Sequence, residues 1–244
     1  MWIKICGNTN LADARTAADA GADAVGFVFA RSPRRVTAAQ IATIMPDLSA
    51  DLTKIGVFDT QNFDEIVLTL QSAGLHGVQL HGELDFSLAD KLRTQFDSHF
   101  FLIQTLHWDL NTDAARSEER LRNELRAIAR HRHIDAVLLD TRTATASGGT
   151  GKTLDWTRAG DVLGAEAGKL RVILAGGLTP ANVSEAIHTL RPWGVDVASG
   201  VESHPGRKDP VRVEIFITAA RAAFAEIENV WPHPSSSPEP TSRR

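Results

Sequence analysis

The chain has 244 residues, 43% hydrophobic and 23% charged, ordinary values that exclude a disordered chain or a fibre and allow a sizeable core. Lys and Arg number 26 against 30 Asp and Glu, a net charge of -4, and the basic residues are scattered, so no nucleic-acid partner is expected. No apolar run approaches the ~20 residues a bilayer crossing needs, the N-terminus reads as a strand and not as a leader, and the single cysteine leaves no internal disulfide, so a cytoplasmic protein without membrane contact is expected.

Short β-branched or aromatic runs alternate with helix-like stretches along the whole chain. A strand over residues 2–6 leads to a helix over 11–20; strands over 24–29 and 54–58 lead to helices over 38–45 and 62–73. The pattern repeats with strands over 77–80, 100–105 and 136–140 and helices over 86–94, 118–131 and 155–163. It closes with strands over 171–175 and 195–199 and helices over 180–190 and 210–227. Thr37 suits the N-cap of the second helix, and Thr179 with Pro180 suits the start of the seventh. Eight βα units of about 30 residues each predict a single (β/α)8 TIM barrel over residues 1–230. The alternative, an open doubly wound sheet, lacks the G-x-G-x-x-G fingerprint after the first strand. Residues 107–134, with His107, Trp108 and a charged run over 116–122, read as a solvated surface helix with an extended lead-in, without chemistry. The last 14 residues, 231–244, hold four Pro and four Ser and read as a disordered tail.

In such a barrel the chemistry gathers where the strands end. Gly176 and Gly177 after strand seven and Ser199 and Gly200 after strand eight suit a phosphate cradle, with the helix expected at Pro180 supplying free N–H groups. The stretch 146–153 resembles a P-loop, but Ala146 stands where its first glycine belongs. The segment 141–153, carrying Gly148 and Gly149, instead reads as a flexible loop suited to closing over a ligand. A lone cysteine is usually a small buried hydrophobe. Cys6, however, takes the last inward position of its strand if Ile3 and Ile5 face the helices, and a helix starting near Asn10 would favour its thiolate. Asp140 ends an apolar strand, where desolvation by Leu138 and Leu139 would suit a general acid. His81 is a pocket-lining or structural histidine, or a ligand contact. Of Arg34 and Arg35, one reads as a surface residue and one as an anion contact. Asp196 is either a paired carboxylate inside the barrel or a substrate-binding group.

Taken in order, several motifs resemble the phosphoribosylanthranilate isomerase family of tryptophan biosynthesis. They are Lys4-Ile5-Cys6-Gly7, the run from Gly21 to Phe27, Ser32-Pro33-Arg34-Arg35 and Val78-Gln79-Leu80-His81-Gly82. Further along come Leu138-Leu139-Asp140-Thr141 with Gly148-Gly149-Thr150-Gly151 and Asp155-Trp156, then Ala175-Gly176-Gly177-Leu178 and the run from Asp196 to Glu202. The resemblance spans residues 2 to about 227. It implies Cys6 as general base, Asp140 as general acid, Arg35 as the partner of the anthranilate carboxylate, and phosphate held after strands seven and eight. It also implies a small phosphorylated aminosugar as substrate, an Amadori rearrangement that needs neither cofactor nor metal, and a monomer or homodimer.

Overall fold

A computed structural model of the chain describes residues 1–96, 99–109, 113–142 and 156–230. Eight strands form the barrel: β1 (Trp2–Ile5), β2 (Ala24–Val28), β3 (Thr53–Phe58), β4 (Gly77–Leu80), β5 (Phe101–Asp109), β6 (Ala136–Arg142), β7 (Arg171–Leu174) and β8 (Gly194–Val197). Every neighbouring pair is parallel, and the ring closes where Ile3 meets Val195 and Lys4 meets Asp196. Seven helices follow the first seven strands: α1 (Leu11–Asp19), α2 (Ala38–Ile44), α3 (Phe63–Ala73), α4 (Phe86–Gln95), α5 (Ala114–Arg130), α6 (Trp156–Glu166) and α7 (Val183–Leu190). After β8 come a 3-10 turn (Ser199–Val201), the small hairpin of β9 (Glu202–His204) and β10 (Arg207–Lys208), and the closing helix α8 (Pro210–Val230).

Two apolar layers follow from the alternation of side chains along each strand. Ile3, Ile5, Val25, Phe27, Val137 and Leu139 point outward and pack on the helices, while Ala24, Ile55, Ile103, Ala136, Leu138 and Ile173 fill the barrel. The helices bury one stripe each. In α3, Ile66, Leu70 and Ala73 recur at helical spacing and are buried, each large one contributing roughly 1.5–3 kcal/mol. Asn62 caps that helix by accepting the Glu65 N–H, and Gly74 ends it in the left-handed region at φ 67°. Thr37 caps α2 as its sequence suggests, with Gln40 completing a reciprocal capping box.

Two expectations need correction. The seventh helix starts at Val183 and not at Pro180, because Asn182 Oδ1 takes the Thr179 N–H and its Nδ2 donates to the Gly177 carbonyl, folding residues 177–182 into a tight turn. The fifth strand runs four residues beyond the expected 105, since parallel pairing with β6 continues through His107 and Trp108 to Asp109, so the lead-in loop to α5 is shorter than expected. The β9–β10 hairpin is not legible in the sequence, its strands having three and two residues. The expected tail 231–244 and the loop glycines Gly148 and Gly149 lie outside the described residues.

Candidate active site

The inward face of β1 carries Lys4 and continues upward to Cys6, whose N–H donates to the Val197 carbonyl at 2.8 Å. Lys4 is wholly buried. Its Nζ donates to Asp196 Oδ1 and to Gln79 Oε1, both at 2.9 Å, and Gln79 Nε2 donates to Thr105 Oγ1 at 3.1 Å. A polar chain therefore crosses the barrel interior under the mouth. Gly26 on β2 makes room for it, because a Cβ there would lie 2.7 Å from Cys6 Sγ and 3.1 Å from Lys4 Nζ. Asp196 is thus paired with a cation inside the barrel.

Burial pushes the Cys6 thiol up from its ordinary pKa, Asp196 adds to the rise, and Lys4 and Lys208 oppose it without reversing it. The thiolate expected from a helix N-terminus is therefore not the resting form; the nearby cations are lysines. Lys4 lies above its ordinary value. Burial alone would lower it, but Asp196 and Cys6 together outweigh that cost.

On the rim beside Cys6, Arg34 grips Glu202 through two hydrogen bonds of 2.8 and 2.7 Å. Glu202 also accepts from Lys208 Nζ at 3.1 Å, and Lys208 Nζ donates to the carbonyls of Cys6 and Ala198. Burial pushes Glu202 up, yet its bonds with Arg34 and the charge of Lys208 win and hold it below the usual carboxylate range. Arg34 is thereby committed to structure. Its neighbour Arg35 is exposed on the same segment after β2, with its backbone bridged to Val28.

Across the mouth stand Asp140 on β6, His107 on β5 and His81 just after β4. His107 and Asp140 are direct register partners. The His81 and His107 rings meet edge to face at 4.9 Å, and His107 Nε2 lies 3.1 Å from the His81 carbonyl. One ligand atom from each of the three lies within 4.8 Å of the others, so the set has the donors to hold a divalent cation. Asp140 is half-buried above Leu138, while Leu139 faces the helices, so only Leu138 of the two leucines shares its side of the strand. His107, read from sequence as part of a surface lead-in, is 8% exposed and lines the mouth. Local pattern gives little sign of it: the pairs Leu102-Ile103 and Gln104-Thr105 break the alternation, and only Leu106-His107-Trp108 alternates.

At the ends of β7 and β8, Gly176 and Gly177 take φ of 82° and 71°, conformations that a side chain would strain. Gly200 presses so closely on the Leu178 carbonyl that any Cβ would collide with it, which brings the two loops into backbone contact. Ser199 and Gly200 open the 3-10 turn. Among the described residues no hydrogen bond uses the N–H groups of Gly177 or Leu178. Lys4, Asn8 and Lys208 are the site residues that sequence reasoning missed alongside His107. Asn8 fixes the turn after Cys6 by donating to the carbonyls of Ile5 and Gly26 at 2.7 and 3.3 Å. A cavity of about 500 Å³ lined by Trp2, His76, Phe101 and Trp193 lies at the opposite, N-terminal end of the strands, away from these groups.

The chain matches the family model for N-(5'phosphoribosyl)anthranilate (PRA) isomerase over residues 3–219. The N-(5'-phosphoribosyl)anthranilate isomerase of Pelobacter propionicus is 41% identical over 92% of this chain and 97% of its own, and that of Chlorobium chlorochromatii is 38% identical over 91% and 97%. The phosphoribosyl anthranilate isomerase structure from Thermotoga maritima superposes with a TM-score of 0.76 at 35% identity, covering 91% of this chain and 99% of that one. Another isomerase structure, at TM-score 0.73 and 32% identity, is a complex with reduced 1-(o-carboxyphenylamino)-1-deoxyribulose 5-phosphate and has the same coverage. The 3-hexulose-6-phosphate synthase of Salmonella typhimurium, at TM-score 0.68 but 15% identity, shares the fold alone. A closed parallel barrel, a cysteine and an aspartate facing its mouth, and this extent of likeness at more than a third identity place the chain in the N-(5'-phosphoribosyl)anthranilate isomerase family.

Proposed function

We infer that the chain isomerises N-(5'-phosphoribosyl)anthranilate to 1-(2-carboxyphenylamino)-1-deoxyribulose 5-phosphate in tryptophan biosynthesis. The observation that carries this reading is the family match over residues 3–219, which spans every site residue described above. Asp140, protonated, donates to the furanose ring oxygen as the C1'–O bond breaks, leaving a protonated Schiff base. Cys6, as thiolate, removes the C2' proton to give an enolamine that tautomerises to the ketone. One acid and one base complete this internal redox change, so the scheme calls on no cofactor or metal.

Cys6 is mostly a thiol at rest, but the minor ionised form of a weakly acidic thiol is the stronger base toward a carbon acid. Arg35 binds the anthranilate carboxylate, the bidentate geometry suiting a planar guanidinium. The loops carrying Gly176, Gly177, Ser199 and Gly200 hold the phosphate, helped by Gly148 and Gly149, which lie outside the described residues. His81 lines the substrate pocket. Asp196, paired with Lys4 at the foot of the pocket, also serves as a substrate-binding group. The molecule works as a monomer or homodimer, which sedimentation of the purified chain distinguishes, and no described helix is long and apolar enough to cross a membrane.

The test is turnover of freshly made aminoaldose, followed by loss of its anthranilate fluorescence. Cys6→Ser and Asp140→Asn are each expected to lower kcat by about 10²–10⁴ with little change in KM. Near-normal turnover by both variants would overturn the assignment of base and acid.

A further inference from the structure

The barrel holds a charge that the isomerisation scheme leaves without a task. Lys4 has no exposed surface, yet its ammonium is kept inside the barrel, where an apolar side chain of similar volume would avoid the cost of desolvating a cation. Its Nζ lies 2.9 Å from Asp196 Oδ1 and 2.9 Å from Gln79 Oε1, beside the sulfur of Cys6, two residues along the same face of β1. Gly26 leaves Sγ and Nζ in one shared pocket, because a Cβ at that position would touch both. We propose that Lys4 is a positioning residue of the reaction, its ammonium divided between Asp196 and Cys6 so that this division sets how readily Cys6 gives up its proton. The proposal deepens the reading of Cys6 as the base and rests on it.

Other charged groups around the sulfur are already compensated. Lys208, from β10, spends its ammonium on Glu202 and on the carbonyls of Cys6 and Ala198. Arg34, from the segment after β2, is paired to the same Glu202. The unsettled balance at Cys6 is therefore between Lys4 on its own strand and Asp196 on β8. That balance makes the two partners act in opposite directions. Without Lys4, the Asp196 carboxylate faces the sulfur alone and opposes ionisation; without the Asp196 charge, the whole ammonium is free to stabilise the thiolate.

Because the chain has a single cysteine, its thiolate absorbance in the ultraviolet reports Cys6 alone, with Cys6→Ser as the blank. Full-length wild type, Lys4→Met and Asp196→Asn are titrated while circular dichroism confirms that each remains folded. The titration midpoint is expected to rise by about one unit or more in Lys4→Met and to fall by a similar amount in Asp196→Asn. Mere loosening of the barrel would admit water and lower both midpoints, so opposite shifts separate positioning from a structural role. Folded variants whose midpoints stay put, or move together, overturn the proposal. If Lys4→Met does not fold, Lys4→Gln takes its place in the same comparison, and midpoints that stay put or move together are again the overturning result. Turnover of Cys6→Ser is a separate measurement: near-normal activity would remove Cys6 as the base while leaving the titration outcome to stand or fall on its own.

Discussion

Adjacent residues in this chain have different work, as Arg34 and Arg35 show. Both follow Pro33, and from sequence alone either could meet an anion. Geometry separates them, because Arg34 is locked fork to fork on Glu202 while Arg35 is exposed on the rim. Arg35→Ala is expected to reduce kcat/KM by about 10- to 150-fold with the melting temperature unchanged, the loss of a charge-assisted bond of roughly 1.5–3 kcal/mol. Arg34→Ala is expected to do the reverse first, lowering stability by about 1–3 kcal/mol because Glu202 keeps only Lys208. Parallel steady-state kinetics and thermal melts on both variants check the pair; a larger kinetic loss in Arg34→Ala at unchanged stability would exchange the roles. The chemistry-bearing residues at strand ends were legible because a barrel fixes where function can lie. Lys4 was not, since alternation places it inward but cannot say that Asp196, 192 residues away, will be its counterion.

At the scale of elements, the sequence announced all eight barrel strands and the helices between them, because short apolar runs, bounded by turn residues, alternate with stretches of helical pattern. It misled where side chains compete with the backbone. Thr179-Pro180 carries a familiar helix-start signal, but Asn182 captures the Thr179 N–H at 2.8 Å and the Gly177 carbonyl at 3.1 Å, so the helix waits until Val183. That one amide spans the turn bearing the candidate phosphate-binding glycines. Asn182→Ala is expected to release the turn, raising KM for the phosphorylated substrate several-fold while kcat changes little, as for a group that binds ground and transition states alike. Steady-state kinetics read this directly, and an unchanged KM would mean that the glycine loop is held by its contact with Gly200 instead. The long β5 teaches the same lesson from the other side. Its extension past Thr105 depends on β6 offering partners as far as Arg142, a fact about pairing that no local pattern carries.

For the whole molecule, Glu202 is where separate elements are tied at the mouth: it starts β9, holds Arg34 from the segment after β2, and holds Lys208, which in turn binds the carbonyls closing β1 and β8. Its side chain is almost wholly buried, and its carboxyl is held below the usual carboxylate range by Arg34 and Lys208 against the opposing pull of burial. A carboxyl whose pKa is lower in the folded state than in the unfolded chain stabilises the fold fully above the unfolded value, about 4.3, and loses that contribution as pH falls through the folded value. The mouth is therefore expected to loosen in acid. Glu202→Gln keeps the shape but gives up the charge, leaving Arg34 and Lys208 beside a neutral amide, so it should melt several degrees below wild type at neutral pH. Lowering the pH protonates Glu202 in the wild type and brings it toward the variant, so the gap between their melting temperatures should narrow as pH drops below about 4. Thermal melts of both proteins across that range check the sign, and a gap that widens in acid would show that Glu202 destabilises the charged state and that the mouth is held by other contacts.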